Sequence, residues 1–312
     1  MNAWESLATT GLLALGLSPA WAQAGLNPKV DKLLAGAEAA RKAGKPKDAE
    51  RDYREALSLA EKAGGDSDSY QTALILFRDF YADAGRPGDA EALLKASLEF
   101  RKASLGPEHK TVGTALIHLG NFYDRTGKKD EAVSFYEQGL AVAEKNADHG
   151  TLSAVSKYLS NAYQSSGRVD EAEALQKKAV EAEAALRGGE GPYYASAFMD
   201  LGSYYLYSRG DAAKAEEAYR RCVTLHEAYL ASGKTDQTGE SVTVSNLTAV
   251  GDFHRRAKRP QEALRLYQKA LATAQRRYGP DDPRVQGLKA SIEAAKKMPA
   301  APAPVKKPAQ RK

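Results

Sequence analysis

The sequence predicts an all-α fold in which about six helix-turn-helix units stack side by side as a solenoid. Two observations predict it. Similar segments recur at a spacing of roughly 40 to 42 residues, which is the mark of a repeat architecture. Within each segment, apolar or small residues fall at positions i, i+3, i+4 and i+7, which share one face of an α-helix. One helix pair cannot bury such a face alone, so neighbouring copies must cover it.

The copies start near residues 30, 71, 113, 153, 195 and 244. In the third copy, Leu116, Gly120 and Tyr123 share the apolar face of the first helix, and Tyr136 belongs to the buried face of the second. The glycine allows the paired helix to approach closely. The fifth copy fits the same frame with one residue inserted after Gly202.

A tight turn joins the two helices of each copy. In four copies the turn holds a glycine suited to the left-handed cap that ends a helix. An aspartate follows at the start of the next helix, where we expect its carboxylate to satisfy free N–H groups. The pairs are Gly44 and Asp48, Gly85 and Asp89, Gly127 and Asp130, and Gly167 and Asp170.

The last copy is set apart in two ways. A polar loop from Ala231 to Glu240 is predicted before it, because the spacing between copies is longer there. After it, residues 283–297 continue a helical stripe and end in Lys296 and Lys297, where cations favour a helix C-terminus. This segment is predicted to be a capping helix that shields the last stacked face.

These repeats resemble the tetratricopeptide repeat, over roughly residues 29–297. The spacing and the connectors LGPEHKTV (105–112) and YGPDDPRV (278–285) are similar to the kinesin-light-chain variety of that repeat. The resemblance implies a right-handed superhelical solenoid whose first helices line a concave groove for a protein or extended peptide. The departures from the pattern are Arg78 at a Gly or Ala position, Gln176 at an aromatic position, His254 at a Tyr position and Lys258 at the turn glycine.

Composition excludes several other classes. Of the 45 basic and 40 acidic residues, 39 of each lie in residues 25–295, so the body is balanced and nucleic-acid binding is not expected. No apolar run reaches the roughly 20 residues that a membrane-spanning helix needs. The single cysteine, Cys222, can form neither an internal disulfide nor a zinc site by itself.

The two ends of the chain predict its location. Residues 7–17 are apolar and Ala22-Gln23-Ala24 follows, which predicts a signal peptide over residues 1–24, cleavage after Ala24 and a periplasmic or secreted protein. Because the segment before the apolar run contains Glu5 and no Lys or Arg, it could instead be retained, and the protein would then be a cytoplasmic adaptor. Residues 298–312 are rich in proline, alanine and basic residues and are predicted to be an extended tail, either a tether to an anionic surface or a solubilising end.

No catalytic motif emerges from the sequence. The five histidines include no His-Glu-x-x-His pair, and Gly189-Glu190-Gly191 follows no strand pattern, so neither a zinc site nor a nucleotide fingerprint is indicated. We therefore expect no catalytic residues, no cofactor and no metal. The remaining enzymatic alternative is a site hidden in the groove or in the 231–240 loop.

The prediction for function is a non-catalytic interaction scaffold, plausibly monomeric. By resemblance, the groove uses first-helix residues that flank the packed stripe. An asparagine amide can bond both N–H and C=O of an extended peptide, although Asn121 and Asn161 could equally serve to bond neighbouring helices. Lys157 and Asn161 match two positions of the family's carboxylate clamp, and the later copies do not complete it. The predicted groove residues are His118, Asn121, Lys157, Tyr158, Asn161, Met199, Ser203, Tyr207, Asp252 and Arg255.

Overall fold

A computed structural model of the protein describes residues 27–299. In this range there are thirteen α-helices, one π-helical turn and no strand. The helices form two compact units, divided after Arg168, and each is described by itself. The predicted signal peptide and residues 300–312 lie outside the described residues.

The first unit contains three complete helix pairs and the first helix of the fourth. Its helices are α1 (Pro28–Lys42), α2 (Pro46–Glu61), α3 (Asp68–Asp83), α4 (Pro87–Leu105), α5 (Lys110–Arg125), α6 (Lys129–Lys145) and α7 (His149–Ser165). Odd-numbered helices are the first helices of the copies. The predicted helix-turn-helix frame is confirmed in this unit.

The second unit begins with the second helix of the fourth copy. It comprises α8 (Val169–Arg187), α9 (Gly191–Tyr204), the π-helical turn Tyr205–Arg209, α10 (Ala212–Ala231), α11 (Gln237–Arg256), α12 (Pro260–Tyr278) and α13 (Pro283–Lys296). Val285, Leu288 and Ile292 of α13 are buried. The helix therefore lies where a capping helix was expected and covers apolar surface with one face.

The turn glycines adopt the expected conformation. The φ angles of Gly44, Gly85, Gly127 and Gly167 lie between 67° and 81°. Lys258 takes the same left-handed conformation, with φ 56°, although it carries a side chain. The backbone of this turn is thus kept even where the glycine is lost.

For three of the four turn aspartates, the expected hydrogen bond to a free N–H group is not found. Asp48, Asp89 and Asp130 lie in the first turns of α2, α4 and α6, but those helices have no side-chain hydrogen bond to an N-terminal N–H group. Asp48 instead pairs with Arg51 at 3.2 Å, and Asp89 pairs with Arg86 at 2.6 Å. Their remaining contribution to the helix start is the favourable position of a negative charge near the helix N-terminus.

Half of the predicted 231–240 loop is helical, because α11 begins at Gln237 and leaves only five residues between helices. Asp236 ends the loop as the helix N-cap and accepts a hydrogen bond from the backbone N–H of Gly239. The hydroxyl of Tyr229 donates to the same carboxylate at 2.8 Å. The Asp236 carboxylate thus accepts hydrogen bonds from the preceding helix and from the first turn of α11. Such an N-cap favours a helix that begins soon after Asp236.

The inserted residue of the fifth copy is absorbed by the π-helical turn Tyr205–Arg209. A π turn accommodates one extra residue without ending the helix. Gly202 keeps its place against the second helix, where a Cβ atom would lie 2.6 Å from the ring of Tyr219. Within the turn, Tyr207 has 69% of its surface exposed.

Successive copies within each unit are joined by a recurring polar contact. The hydroxyl of a first-helix or π-turn tyrosine donates to a glutamate on the preceding second helix, and a basic residue near the turn lies beside that glutamate. The pairs are Tyr81 and Glu50 at 3.0 Å, Tyr123 and Glu91 at 2.7 Å, Tyr163 and Glu137 at 2.6 Å, and Tyr205 and Glu173 at 3.2 Å. The basic residues are Arg86, Lys128, Arg168 and Arg209.

Glu173 is the best covered of the ion-paired glutamates in this set, with 11% of its side chain exposed. The hydrogen bond from Lys177, and then those from Arg209 and Tyr205, lower its pKa to about 2 against the opposing effect of burial. We expect Glu173→Gln to lower the free energy of unfolding by about 1.5–3 kcal/mol, because hydrogen bonds to a charged group are lost. Urea denaturation of the variant and the unchanged protein measures this difference in the free energy of unfolding.

Asp170 supplies the matched control, since it pairs with the same Arg209 but is 88% exposed. Asp170→Asn should change the free energy of unfolding by no more than about 0.5 kcal/mol. Equal effects of the two substitutions would show that Glu173 does not fasten the copies together.

Candidate functional site

The first-helix face is organised by a glycine–tyrosine contact that recurs in three copies. A Cβ atom at Gly120 would lie 2.4 Å from the ring of Tyr136, and the equivalent distance is 2.6 Å for Gly202 and Tyr219. Gly251 and Tyr267 repeat the contact at 2.6 Å. Such distances leave no room for a side chain, so the tyrosine ring of the second helix lies directly on the backbone of the first.

The hydroxyl of each of these tyrosines reaches the residue that follows the glycine. Tyr136 donates to Asn121 Oδ1 at 2.6 Å and Tyr267 donates to Asp252 Oδ1 at 2.7 Å. Ser203 and the hydroxyl of Tyr219 are 3.3 Å apart. Three predicted groove residues, Asn121, Ser203 and Asp252, are therefore the hydrogen-bond partners of a neighbouring tyrosine.

Burial keeps these hydroxyls protonated. It raises the pKa of the Tyr136 hydroxyl, and burial with the hydrogen bond to Asp252 raises that of Tyr267 to about 12. A protonated hydroxyl is a hydrogen-bond donor, so Asn121 and Asp252 each have one acceptor site occupied by their own copy. For Asn121 the contact is the alternative that the sequence left open, a bond to a neighbouring helix.

Two copies replace both members of the glycine–tyrosine pair. In the second copy Arg78 stands at the glycine position and Leu94 at the tyrosine position, and in the fourth copy Ser160 and Gln176 do so. The larger first-helix residue is thus matched by a second-helix residue without a ring. The departures Arg78 and Gln176 noted in the sequence therefore follow one steric rule, in which a ring is placed opposite glycine. The first copy is an exception, because Ala37 stands at the glycine position and the buried Tyr53 at the tyrosine position.

The remaining predicted residues of the first unit differ in accessibility. Tyr158 is half-buried and its ring stacks on Tyr136, with centroids 5.7 Å apart. Lys157 is half-buried, and Asn161 is exposed and accepts a hydrogen bond from Gln164 at 3.4 Å. Lys157, Tyr158 and Asn161 therefore retain accessible surface on α7.

The prediction that His118 lines the groove is wrong. Only 3% of its surface is exposed. Burial, with the nearby charges of Arg78 and Arg101, lowers its pKa to about 3, so the imidazole is neutral. The flank of the helical stripe on which it lies faces the neighbouring helices, which residue spacing alone does not reveal.

In the second unit Tyr207 is the most exposed large hydrophobic residue of the described chain. Its hydroxyl accepts a hydrogen bond from Arg256 Nη1 at 3.3 Å. Arg255 is 3.3 Å from Asp252 and donates to the hydroxyl of Tyr267, whereas Arg256 has no carboxylate partner within the described residues. Met199 is half-buried on the same helix as Ser203.

Arg256 was not among the predicted site residues. The signal for it was the run of basic residues at the end of the eleventh helix, His254, Arg255 and Arg256. Its contact with Tyr207 joins two residues that are 49 positions apart in the chain, so the sequence did not indicate it.

A trough of about 410 Å³ lies between α11 and α13 of the second unit. Its walls combine apolar residues with hydroxyls, and it reaches Asp252 at one end and Arg284 at the other. Concave sites of this size are suited to a short peptide segment or a small ligand.

Metal-binding groups and the cysteine were the simplest candidates for chemistry in the described residues. Between residues 27 and 299 no group of three or more His, Cys, Asp or Glu side chains could hold a metal ion. Burial raises the pKa of the Cys222 thiol to about 12, which disfavours the reactive thiolate. No helix in that range is long and apolar enough to cross a membrane.

The protein is built from repeated helix pairs whose first helices carry accessible polar and aromatic residues. Proteins of this class act as protein–protein interaction scaffolds. Models of the tetratricopeptide repeat match residues 79–145, 151–228 and 247–284. Together these matches cover more than half of the chain. The chain belongs to the tetratricopeptide repeat family, and its repeats are of the kinesin-light-chain type.

Two curated relatives come from Arabidopsis thaliana. Protein KINESIN LIGHT CHAIN-RELATED 3 is 32% identical over 89 residues, which are 28% of this chain and 14% of that protein. Protein KINESIN LIGHT CHAIN-RELATED 1 is 30% identical over 104 residues, 31% of this chain and 17% of that protein. The chain thus spans less than a fifth of the length of either relative.

Solved structures show the same fold. BtubC (BKLC) from P. vanneervenii matches with a TM-score of 0.51 and 22% identity, over 74% of this chain and 88% of that one. A signal transduction ATPase from Pyrococcus horikoshii, with a tetratricopeptide repeat sensor, matches with a TM-score of 0.54 and 16% identity, over 85% of this chain and 38% of that one.

Proposed function

We propose that this protein is a non-catalytic, exported scaffold that binds a protein or an extended peptide on its first-helix face. The observation that carries the proposal is Tyr207, which is 69% exposed beside Arg256. An exposed aromatic ring next to a guanidinium that lacks a carboxylate partner is the composition found at the energetic centres of protein interfaces.

The first unit carries binding groups of its own on its first helices. On α7 of the first unit, Lys157 and Tyr158 are half-buried and Asn161 is exposed, and together they combine a cation, a ring and an amide. These groups can contact a peptide backbone and its side chains. Asn121, Ser203 and Asp252 contribute less, because each already bonds a tyrosine hydroxyl.

The binding test uses affinity capture with the full chain and with two truncations to alanine. We expect Tyr207→Ala to reduce the affinity for a captured partner by about tenfold or more, the effect of losing a central aromatic contact. Leu186→Ala is the matched control, because Leu186 is also an exposed apolar residue, 46% accessible, but lies on the second helix α8. Partners lost equally from both variants, or from neither, would place the binding surface elsewhere.

Export is the second part of the proposal and rests on residues 1–24. A retained N-terminus would instead favour a cytoplasmic adaptor, the alternative that the resemblance to the kinesin light chain implies. Trp4 and Trp21 are the two tryptophans of the chain, so a mature protein that begins at Gly25 has no tryptophan emission. N-terminal sequencing of native protein, combined with its fluorescence, separates the two locations.

A further inference from the structure

The trough between α11 and α13 has walls suited to a small, uncharged chain segment. Val244 and Leu288 are buried beneath it, and Gly287 leaves one wall without a side chain. Thr248 and Ser291 add hydroxyls. The Thr248 hydroxyl donates to the carbonyl of Val244 at 2.7 Å and can accept from a peptide N–H, while that of Ser291 can bond either an N–H or a C=O group. A Cβ atom at Gly287 would meet no atom within 4 Å, so the trough is open at this position.

The charges at the ends of the trough are already compensated. Arg284 pairs with Asp282 at 2.8 Å, and Asp252 accepts hydrogen bonds from Tyr267 and Arg255. A ligand with a charge in the middle of the trough would therefore find no free counter-charge there. An apolar segment with small side chains meets no such cost.

Residues 300–305 of this chain, Ala-Ala-Pro-Ala-Pro-Val, have this composition and directly follow the helix that forms one wall. From Arg284 to Lys296, α13 spans roughly 18 Å at the α-helical rise of 1.5 Å per residue. Six residues in an extended, proline-rich conformation span roughly 19 Å. The segment is long enough to run back along α13 over the whole trough.

We propose that residues 300–305 dock in the trough between α11 and α13, antiparallel to α13, as a ligand supplied by the chain itself. This direction brings Lys306 and Lys307 to the N-terminal end of α13. Asp281 lies there, exposed and without an ion-pair partner among residues 27–299, next to Asp282. Opposite charges at the far end of the trough favour this direction over the reverse.

If the protein binds a partner as proposed, docking of this segment would regulate that binding. This consequence rests on the proposed function. The trough includes Asp252, a residue of the first-helix face, so the docked segment covers part of the surface offered to a partner. A partner would have to displace it. Because the segment is linked to α13, its effective concentration is high even when its intrinsic affinity is low.

The test is an intramolecular disulfide in the full chain. Ser291→Cys places a thiol in the trough and Ala303→Cys places one in the segment, while Cys222 is wholly buried and does not compete. We expect the pair to form an intramolecular disulfide about tenfold faster than Ala303→Cys paired with Gln268→Cys, which is exposed on α12, because docking raises the effective concentration. Mass spectrometry of the unreduced protein follows the reaction.

Filling the trough gives the second arm of the test. Gly287→Gln should slow the Ser291–Ala303 disulfide to the rate of the Gln268 control. Gly88→Gln, at an exposed position on α4 where a Cβ also meets no atom within 4 Å, should leave it fast. Equal rates for the two cysteine pairs, or no effect of Gly287→Gln, would overturn the proposal.

A disulfide that forms only between chains, at a rate that rises with protein concentration, would assign the trough to the segment of a second copy and would also overturn it. No partner is present in this experiment. It can therefore fail while capture through Tyr207 succeeds, or succeed while that capture fails.

Discussion

Replacing Gly120 by alanine should lower the free energy of unfolding by about 2 kcal/mol, the range found for overpacking a close helix contact. The new Cβ atom would lie 2.4 Å from the ring of Tyr136, which must move. That ring cannot move freely, since its hydroxyl donates to Asn121 and its face stacks on Tyr158. The loss exceeds the gain in helix propensity, about 1 kcal/mol.

The sequence itself contains the compensating pair. The fourth copy has Ser160 and Gln176 at these two positions, so Gly120→Ser combined with Tyr136→Gln should be less destabilising than the sum of the single changes. Urea denaturation of the singles and the double measures the coupling. Simple additivity would contradict the steric rule.

A glycine with flexible surroundings is the control for this series. At Gly36 a Cβ would meet only the carboxylate of Asp52, at 3.3 Å, and that side chain can turn away. Gly36→Ala should therefore be neutral or stabilise α1 by up to about 1 kcal/mol. Destabilisation at Gly36 as large as at Gly120 would show that the ring contact is not the cause.

The protein should lose about 3 kcal/mol of stability through His226 alone as the pH falls from 6.5 to 4. Burial lowers the pKa of this histidine from 6.5 to about 4 in the folded protein. The unfolded chain therefore binds a proton throughout this window and the folded chain does not. Stability is retained above pH 6.5, falls between pH 6.5 and 4, and levels off below.

Hydrogen bonds explain why His226 stays neutral. The Thr243 hydroxyl donates to the carbonyl of Gly239 at 2.8 Å, so its oxygen accepts from His226 Nδ1 at 3.0 Å. His226 Nε2 then accepts from Asn246 Nδ2, also at 3.0 Å. A second ring proton would face the N–H group of Asn246, and no charged side chain is close enough to shift the pKa the other way.

The measurement is the free energy of unfolding against pH, compared between variants. His226→Leu should be less stable at pH 7, because Thr243 and Asn246 lose a partner, but its stability should fall less steeply below pH 6.5. Thr243→Val destabilises the same contact without removing the histidine, so its slope should stay close to that of the unchanged chain. Identical slopes for all three would refute a buried neutral His226.

The same reasoning applies to His118 in the first unit. Its pKa is lowered to about 3, by burial first and then by Arg78 and Arg101. The slope that remains in His226→Leu should therefore decrease further when His118 is replaced by phenylalanine. Acid lability is expected in both units, from two unrelated positions of the repeat.

The steric rule at the first-helix glycine shows how far the sequence could be taken. The recurrence of Gly120, Gly202 and Gly251 predicted a close helix approach, and the structure has it. The sequence did not indicate that Tyr136 and Tyr267 would bond the residues next to those glycines. A hydroxyl at the end of a long side chain reaches its partner only when the distance between two helices is fixed.

His118 and Tyr207 show where prediction from the sequence failed or stopped short. Both flank an apolar stripe, and both were expected on an open face. His118 is covered because its side of α5 meets neighbouring helices, whereas Tyr207 is exposed at a position that the preceding copies also leave exposed. Residue spacing shows on which face of a helix a side chain lies. It does not show whether another helix packs against that face.

The sequence by itself determined the helix pairs, membership of a repeat family and the left-handed turns at Gly44, Gly85, Gly127 and Gly167. These features depend on hydrophobic periodicity and backbone preference, which act within a few residues. Packing between helices decided which polar residues are free to bind. It covered His118, engaged Asn121 and Asp252, and left Tyr207, Arg256 and the trough between α11 and α13 accessible. Burial and hydrogen-bond partners come from residues distant in the chain, and only the tertiary structure brings those residues together.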